Sequence, residues 1–170
     1  MRALLGLLAA LVLASCGASQ PTIGTGYSDP EGAYTIRVDP AWELHAGAVV
    51  DGVESWFIGP VENGFRPNVN VLTQAAPGMS LTDYITTSVQ QGPAIMPDFR
   101  LVSQSQFDTS GTSLGLLDYI GTYQGYQLHF LAVIGVKGDR AVVATLTAPL
   151  ASFDTWRATV EPYMRTLRPT

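Results

Sequence analysis

The stretch SLGLLDYIGTYQGYQLHFLAVIGV, residues 113–136, predicts a long β-hairpin. Two runs rich in β-branched, aromatic and other apolar residues flank Gln124-Gly125, a dipeptide that suits a tight turn. A two-residue turn pairs Tyr123 with Tyr126 and thereby sets the register of both strands. The other predicted elements are arranged around this hairpin.

The predicted register brings two ionisable side chains together. Ile120 falls opposite His129 and Asp118 opposite Leu131, so Asp118 and His129 become diagonal neighbours on one face, with Cβ atoms about 7 Å apart. A carboxylate beside an imidazole can hold a proton donor or bind a ligand or metal. The alternative is a structural hydrogen bond or a solvated pair. One histidine with one carboxylate is a poor metal site, and neither a metal nor another cofactor is predicted.

Further segments have the residue composition, or the alternation of apolar and polar residues, that is typical of β-strands. They are residues 34–38, 54–60, 68–74, 100–107 and 140–147. Several are apolar on both faces, which predicts a sheet that is covered on both sides.

The first predicted helix lies between the strands 68–74 and 100–107. Ser80 is a suitable N-cap with Asp83 three residues further on, and Gly92-Pro93 supplies a stop. Strands on both sides of one helix, followed by a closing helix, indicate an α+β fold with a mainly antiparallel sheet.

The second predicted helix starts at Ser152 and carries an apolar stripe on one face. Charged residues repeat at the same spacing on another face, where pairs such as Glu161–Arg165 can form. Pro162 lacks a backbone N–H, so a kink or break is expected near residues 158–161.

The beginning of the chain reads as a targeting segment. Arg2 precedes an apolar run over residues 4–13, too short to span a bilayer as a mature helix. The sequence LASC, which ends at Cys16, resembles the lipobox of bacterial lipoproteins; that resemblance implies cleavage before Cys16 and acylation of this residue. The predicted organisation is a signal peptide, a flexible tether and one folded domain: residues 1–15, 16–30 and 31–170.

Composition narrows the classes of partner. The 170 residues carry a net charge of −5 and a single cysteine, Cys16, so the chain cannot form an internal disulfide. An acidic body repels phosphate backbones, and nucleic-acid binding is not expected.

Several motifs together resemble the PsbP-like fold. They are YTIRVDPAWEL (34–44), NVNV (68–71) before the Ser-capped helix, the two long strands, and MRTLRP (164–169). Over residues 30–168 the chain looks most like bacterial lipoproteins of the LpqN and DcrB kind. The resemblance implies an antiparallel sheet of about six strands covered by helices on both faces. It also implies an accessory, binding or assembly role without catalysis.

Three hypotheses for function follow. The first is a non-catalytic module held at a membrane of the cell envelope through Cys16, on the periplasmic or outer surface, where it meets an unknown envelope protein or small ligand. Phe65 and Arg66 are candidates for contact with such a partner, because aromatic residues and arginine anchor many interfaces. The second is a lipoprotein that binds a small ligand or metal through Asp118 and His129.

The third hypothesis is a hydrolase. GTSLG, residues 111–115, matches the G-x-S-x-G pattern of serine hydrolases, which places the serine on a turn between a strand and a helix. Ser113 instead leads into a predicted strand, and His129 lies in the neighbouring strand. No catalytic residue is therefore predicted, and the protein is not expected to be an enzyme.

Overall fold

A computed structural model describes residues 26–50 and 53–170, with the backbone alone over residues 46–50. Its strands and helices follow in chain order: β1 Tyr27–Ser28, β2 Tyr34–Ile36, β3 Glu43–Val50, β4 Val53–Ile58, β5 Asn68–Ala75, α1 Leu81–Ile95, β6 Arg100–Thr109, β7 Thr112–Tyr123, β8 Tyr126–Lys137, β9 Arg140–Pro149, α2 Phe153–Met164 and β10 Arg168–Pro169. The predicted signal peptide, residues 1–15, and Cys16 lie outside the described residues.

The main sheet has seven strands in the order β3-β4-β5-β9-β8-β7-β6, and every neighbouring pair is antiparallel. The predicted α+β class and antiparallel sheet are confirmed, whereas the predicted number of about six strands is too low. Strand β3 was missed because its sequence, ELHAGAVV, has weak strand formers at its centre. The predicted strand 34–38 belongs instead to a second, small sheet of order β1-β2-β10.

The central hairpin has the predicted register. Gln124 and Gly125 both have positive φ, 49° and 84°, as a two-residue turn matched to the twist of the strands requires. Tyr123 pairs with Tyr126, and Ile120 lies opposite His129. The turn therefore fixes the positions of all side chains along β7 and β8.

Alternate residues of the main sheet enter two different cores. On β8, Leu131 and Val133 face a cluster that includes Phe153 of α2, and we call this side the α2 face. Ala132 and Ile134 face a cluster that includes residues of α1, and we call this side the α1 face. The helices do not cover these faces alone, because the small sheet also packs its buried side chains into the cluster on the α2 face.

Helix α1 begins as predicted and ends later. Ser80 and Asp83 form a reciprocal capping box. The predicted stop at Gly92-Pro93 is wrong, since the helix continues to Ile95 and the Gly92 carbonyl still accepts the N–H of Met96 at 2.9 Å. Pro93 lies in the last turn, where the loss of one backbone N–H breaks few further bonds.

Helix α2 runs without interruption from Phe153 to Met164, so of the kink or break predicted near residues 158–161 the break is absent. Pro162 again occupies the last turn, and the Glu161 carbonyl accepts the N–H of Arg165 at 2.9 Å. Among the described residues, no helix is long and apolar enough to cross a membrane.

The folded body begins earlier than the predicted boundary at residue 31. Tyr27 and Ser28 pair with β2, and the buried Asp29 accepts the N–H of Ala33 at 2.9 Å. Residues 27–30 of the predicted tether thus belong to the fold.

Candidate functional site

Asp118 and His129 meet on the α2 face as the register predicts. Asp118 is 2 % exposed on β7, and its Oδ1 lies 2.5 Å from Nε2 of His129 on β8. The imidazole stacks on the ring of Phe153, with centroids 3.5 Å apart and planes inclined by 12°. The central hairpin therefore supplies both groups, and α2 covers them.

Arg157 of α2 completes the surroundings of Asp118. Its Nη1 donates to Oδ2 of Asp118 at 2.7 Å, so both carboxylate oxygens have a partner. This contact is not predictable from the sequence alone. The charged stripe of α2 was visible, but the helix periodicity does not reveal which strand the stripe will face.

The ion pairs continue along α2. Glu161 accepts from Nε of Arg157 and from Nε of Arg165, each at 2.7 Å. The Arg165 guanidinium lies 4.1 Å from the centre of the Phe107 ring, a cation–π distance. We call His129, Asp118, Arg157, Glu161 and Arg165 the Asp118 network.

Hydrogen bonding and burial shift the pKa values of Glu161 and Arg157 in opposite directions. Burial alone would raise the pKa of Glu161, but the hydrogen bonds from Arg157 and Arg165 outweigh it and hold the pKa below its ordinary value. Burial alone would lower the pKa of Arg157, yet Glu161 and Asp118 raise it. Glu161 and Arg157 therefore both stay charged, and bound to each other, near neutral pH.

The bond from Arg157 to Asp118 joins α2 to the main sheet. A catalytic base needs an oxygen free to accept a proton from a substrate, and each oxygen of Asp118 already has a hydrogen-bond partner in the protein. Within the described part of the chain, no group of three or more His, Cys, Asp or Glu side chains is placed to hold a metal ion. Ligand binding by Asp118 and His129 stays a prediction.

Ser113 is distant from this network. It is exposed at the start of β7, where its hydroxyl donates to Oδ1 of Asp108 at 2.5 Å. Ile120, which lies opposite His129, is seven residues further along β7, or about 23 Å at the usual rise of a strand. Ser113 and His129 therefore do not form a catalytic pair in this structure.

Phe65 and Arg66 both make contacts within the fold. Phe65 is 9 % exposed and packs in the core of the α1 face. Arg66 donates to the Gly59 carbonyl at 3.0 Å and pairs with Glu43 at 2.9 Å, and its hydrogen bond lowers the pKa of that carboxyl. Contact of these two residues with a partner stays a prediction, to which Phe65 could contribute little exposed surface.

A row of buried polar side chains crosses the α1 face and was also missed by sequence analysis. Asn68 pairs with Thr147, and Asn70 pairs with Thr145, across strands β5 and β9. All four are buried. Within the described structure, Oδ1 of Asn68, Nδ2 of Asn70 and Oγ1 of Thr147 have no hydrogen-bond partner. We call these four residues the Asn–Thr row.

Comparison with known proteins identifies the fold through structure alone. No protein-family model matches the chain, and no curated protein matches its sequence significantly. Cyanobacterial PsbP (CyanoP) from Synechocystis sp. PCC 6803 is similar with a TM-score of 0.64 and 18 % identity, over 93 % of this chain and 99 % of that one.

Two further solved structures have the same arrangement. LpqN of Mycobacterium tuberculosis is similar with a TM-score of 0.58 and 13 % identity, over 86 % of this chain and 90 % of LpqN. A Pseudomonas aeruginosa protein of unknown function is similar with a TM-score of 0.58 and 20 % identity, over 86 % of this chain and 96 % of that one. The chain has the PsbP-like fold, which it shares with LpqN.

Proposed function

We propose that this protein is an extracytoplasmic bacterial lipoprotein, anchored through Cys16, that acts as a non-catalytic accessory or binding module of the cell envelope. The observation that carries the proposal is an apolar run over residues 4–13 that leads directly into LASC. This motif ends at Cys16, ten residues before Gly26, the first residue that the structure describes. Two or more acyl chains bind a protein stably to a membrane, whereas one chain binds only marginally.

The fold agrees with an accessory role. The solved structure of LpqN is described as that of a protein involved in cell envelope biogenesis, and CyanoP is a cyanobacterial PsbP. At this level of identity the likeness concerns the fold, so the accessory role is part of the proposal.

The site geometry favours binding over catalysis. Asp118, the most buried carboxylate of the network, is held by His129 and Arg157, and Ser113 lies about 23 Å along the strand from the position opposite His129. A hydrolytic dyad needs its nucleophile and base within hydrogen-bond reach. We therefore assign no catalytic residue.

The anchor is tested in growing bacterial cells that express the full chain with radiolabelled palmitate. The wild type is expected to take up label and to partition into the detergent phase, whereas Cys16→Ala takes up none and stays unprocessed. Ser19→Ala is the matched control, three residues away in the predicted tether, and keeps both properties. Equal labelling of Cys16→Ala and the wild type would contradict the anchor.

A second candidate, binding of a small ligand or metal at Asp118 and His129, is favoured by one observation. The His129 side chain is 14 % exposed, so a solute could reach it, while Asp118 beside it is buried. A ligand at this site would raise the melting temperature of the wild type and not that of His129→Ala. A screen of divalent metals and small carboxylic acids that leaves both melting temperatures unchanged contradicts this candidate.

A further inference from the structure

The outward side of the small sheet gathers hydroxyl and guanidinium groups. Ser28 and Arg168 are both paired with Thr35, one on each side of β2. Directly opposite residues of antiparallel strands point to the same face. Because Tyr34 and Ile36, the neighbours of Thr35 in β2, are buried in the core, this row of three faces away from it.

The same side contains an open depression of about 580 Å³. Its lining includes the row Ser28, Thr35 and Arg168 together with Arg37 and Thr166. Arg37 lies two residues after Thr35, which is the spacing that keeps side chains on one face of an extended chain. Two of the few cationic side chains of an acidic protein, which has 9 basic and 14 acidic residues, therefore share one concave surface.

We propose that this depression is a binding site for a phosphoryl-type oxyanion, with Arg37 and Arg168 as its cationic groups and the hydroxyls of Ser28 and Thr35 as further donors. Guanidinium groups present paired N–H donors that match two oxygens of a phosphate, and such charge-assisted bonds are about twice as strong as neutral ones. Hydroxyl side chains add donors without adding charge.

Existing hydrogen bonds hold the site in shape. Arg168 donates through Nη1 to the carbonyls of Leu167 at 2.7 Å and Arg165 at 3.5 Å, and through Nη2 to Oγ1 of Thr109 at 3.2 Å. The N–H of Arg37 donates to Oγ1 of Thr166 at 2.7 Å, which ties β2 to the segment before β10. A guanidinium has five N–H donors, so Arg168 keeps donors for a ligand after making these three bonds.

The location of the site makes a lipid headgroup one source of the oxyanion. Gly26 lines the same depression and is ten residues from Cys16 along the chain, a span of at most about 35 Å when extended. This source depends on the anchor proposed above, whereas free phosphate in the surrounding medium does not. The chemistry that the site recognises is the same for both.

Isothermal titration calorimetry of the full chain in detergent with inorganic phosphate tests the site. Arg37→Gln and Arg168→Gln are each expected to weaken phosphate binding about tenfold or more. Arg100→Gln, which removes an exposed positive charge on β6, is the matched control and leaves the affinity unchanged. Because Arg168 also bonds to Leu167 and Thr109, thermal melting establishes that each variant is folded, and Arg37→Gln provides the second, independent reading.

The source is distinguished by reconstituting the full chain in vesicles of phosphatidylglycerol or of digalactosyldiacylglycerol, a lipid whose headgroup contains no phosphate. Occupation by a phosphoryl headgroup would weaken phosphate binding in phosphatidylglycerol alone; equal affinity in both lipids assigns the site to free phosphate. Either result supports the site. A chain that binds phosphate but does not float with either vesicle keeps the site and contradicts the anchor. Absence of phosphate binding at millimolar concentration, or equal binding by Arg37→Gln, Arg168→Gln and the control, overturns the proposal.

Discussion

Two groups of buried polar side chains, the Asp118 network on the α2 face of the seven-stranded sheet and the Asn–Thr row on the α1 face, differ in their hydrogen bonding. On the α2 face, Asp118 is 2 % exposed and has a charged or ionisable partner at each carboxylate oxygen. On the α1 face, the Asn–Thr row is equally buried, but the described structure leaves three of its polar atoms without partners. Burial alone therefore does not tell how much a polar group contributes to stability.

The difference has opposite consequences for substitution. Removing one partner of a buried ion pair leaves a charge in a medium that solvates it poorly, and this is strongly destabilising. Removing a buried polar group that has no partner takes away only a desolvation penalty. Variants on the two faces should therefore change the free energy of unfolding in opposite directions.

Arg157→Ala has the largest expected effect. It leaves the buried Asp118 with His129 alone and removes one of the two arginines that bind Glu161. We expect a loss of about 3 kcal/mol in the free energy of unfolding, measured by urea denaturation. Arg157→Lys keeps the positive charge but not the planar guanidinium that donates to both Asp118 and Glu161, so it should lose less stability than Arg157→Ala. A loss below 1 kcal/mol in Arg157→Ala would show that the network contributes little.

The contact between Arg157 and Asp118 also shows how much of the network the sequence alone predicts. The position of Asp118 beside His129 followed from a two-residue turn, because local turn geometry sets the register of a hairpin. The contact with Arg157 depends on how α2 lies across the sheet, 39 residues away in sequence, and no local rule fixes that angle. The Asn–Thr row was missed for the same reason, since it forms only when β5 pairs with the distant β9.

Strand β3 was missed, and the effects expected of Pro93 and Pro162 differ from the structure, for separate reasons. Small residues at the centre of β3 give no clear alternation, yet pairing with β4 imposes the extended conformation. Pro93 and Pro162 are accommodated in the last turns of their helices, where tertiary contacts outweigh the local preference to stop.

The side chains that pack against glycines of the main sheet also differ in rigidity between the two faces, and glycine substitutions test this difference. A Cβ at Gly135 on the α2 face would lie 2.5 Å from Cγ of Pro169, in a ring that cannot rotate away. A Cβ at Gly121 on the α1 face would meet Sδ of Met96 at 2.1 Å, at the flexible end of a side chain.

We expect Gly135→Ala to lose about 2 kcal/mol in thermal or urea unfolding and Gly121→Ala to lose less than half of that. The physical reason is that overpacking against a rigid ring must displace β10, whereas methionine can change rotamer. Equal losses would show that Met96 is as confined as Pro169.

Thr147→Val on the α1 face has a smaller effect of opposite sign. The substitution keeps the shape of a side chain that is 1 % exposed and removes an Oγ1 that has no partner within the described structure. We expect a gain of about 1 kcal/mol in the free energy of unfolding. Val143→Thr, the reverse change on the same face of β9, is the matched control and should lose stability. A loss in Thr147→Val would mean that the hydroxyl is hydrogen-bonded in solution, by an ordered water for example.

The smallest expected effect is a difference in pH dependence between two half-buried glutamates. Glu161, bound by Arg157 and Arg165, has a lowered pKa, so its stabilising contribution is present above its ordinary pKa and is lost as pH falls below about 4. Burial raises the pKa of Glu54, although a hydrogen bond from Thr73 opposes the shift. Its contribution is therefore present below its ordinary pKa and is lost as pH rises through the raised value.

Glutamine variants should separate the two groups in urea denaturation between about pH 3 and pH 7. Glu161→Gln is expected to be less stable than the wild type at pH 7, with the difference shrinking as pH falls below about 4, because protonation removes the same charge from the wild type. Glu54→Gln is expected to gain stability relative to the wild type as pH rises, because the amide stays neutral where the buried carboxylate must ionise. Parallel profiles for both variants would contradict the distinction, and would mean that the arginines around Glu161 do no more than offset its burial.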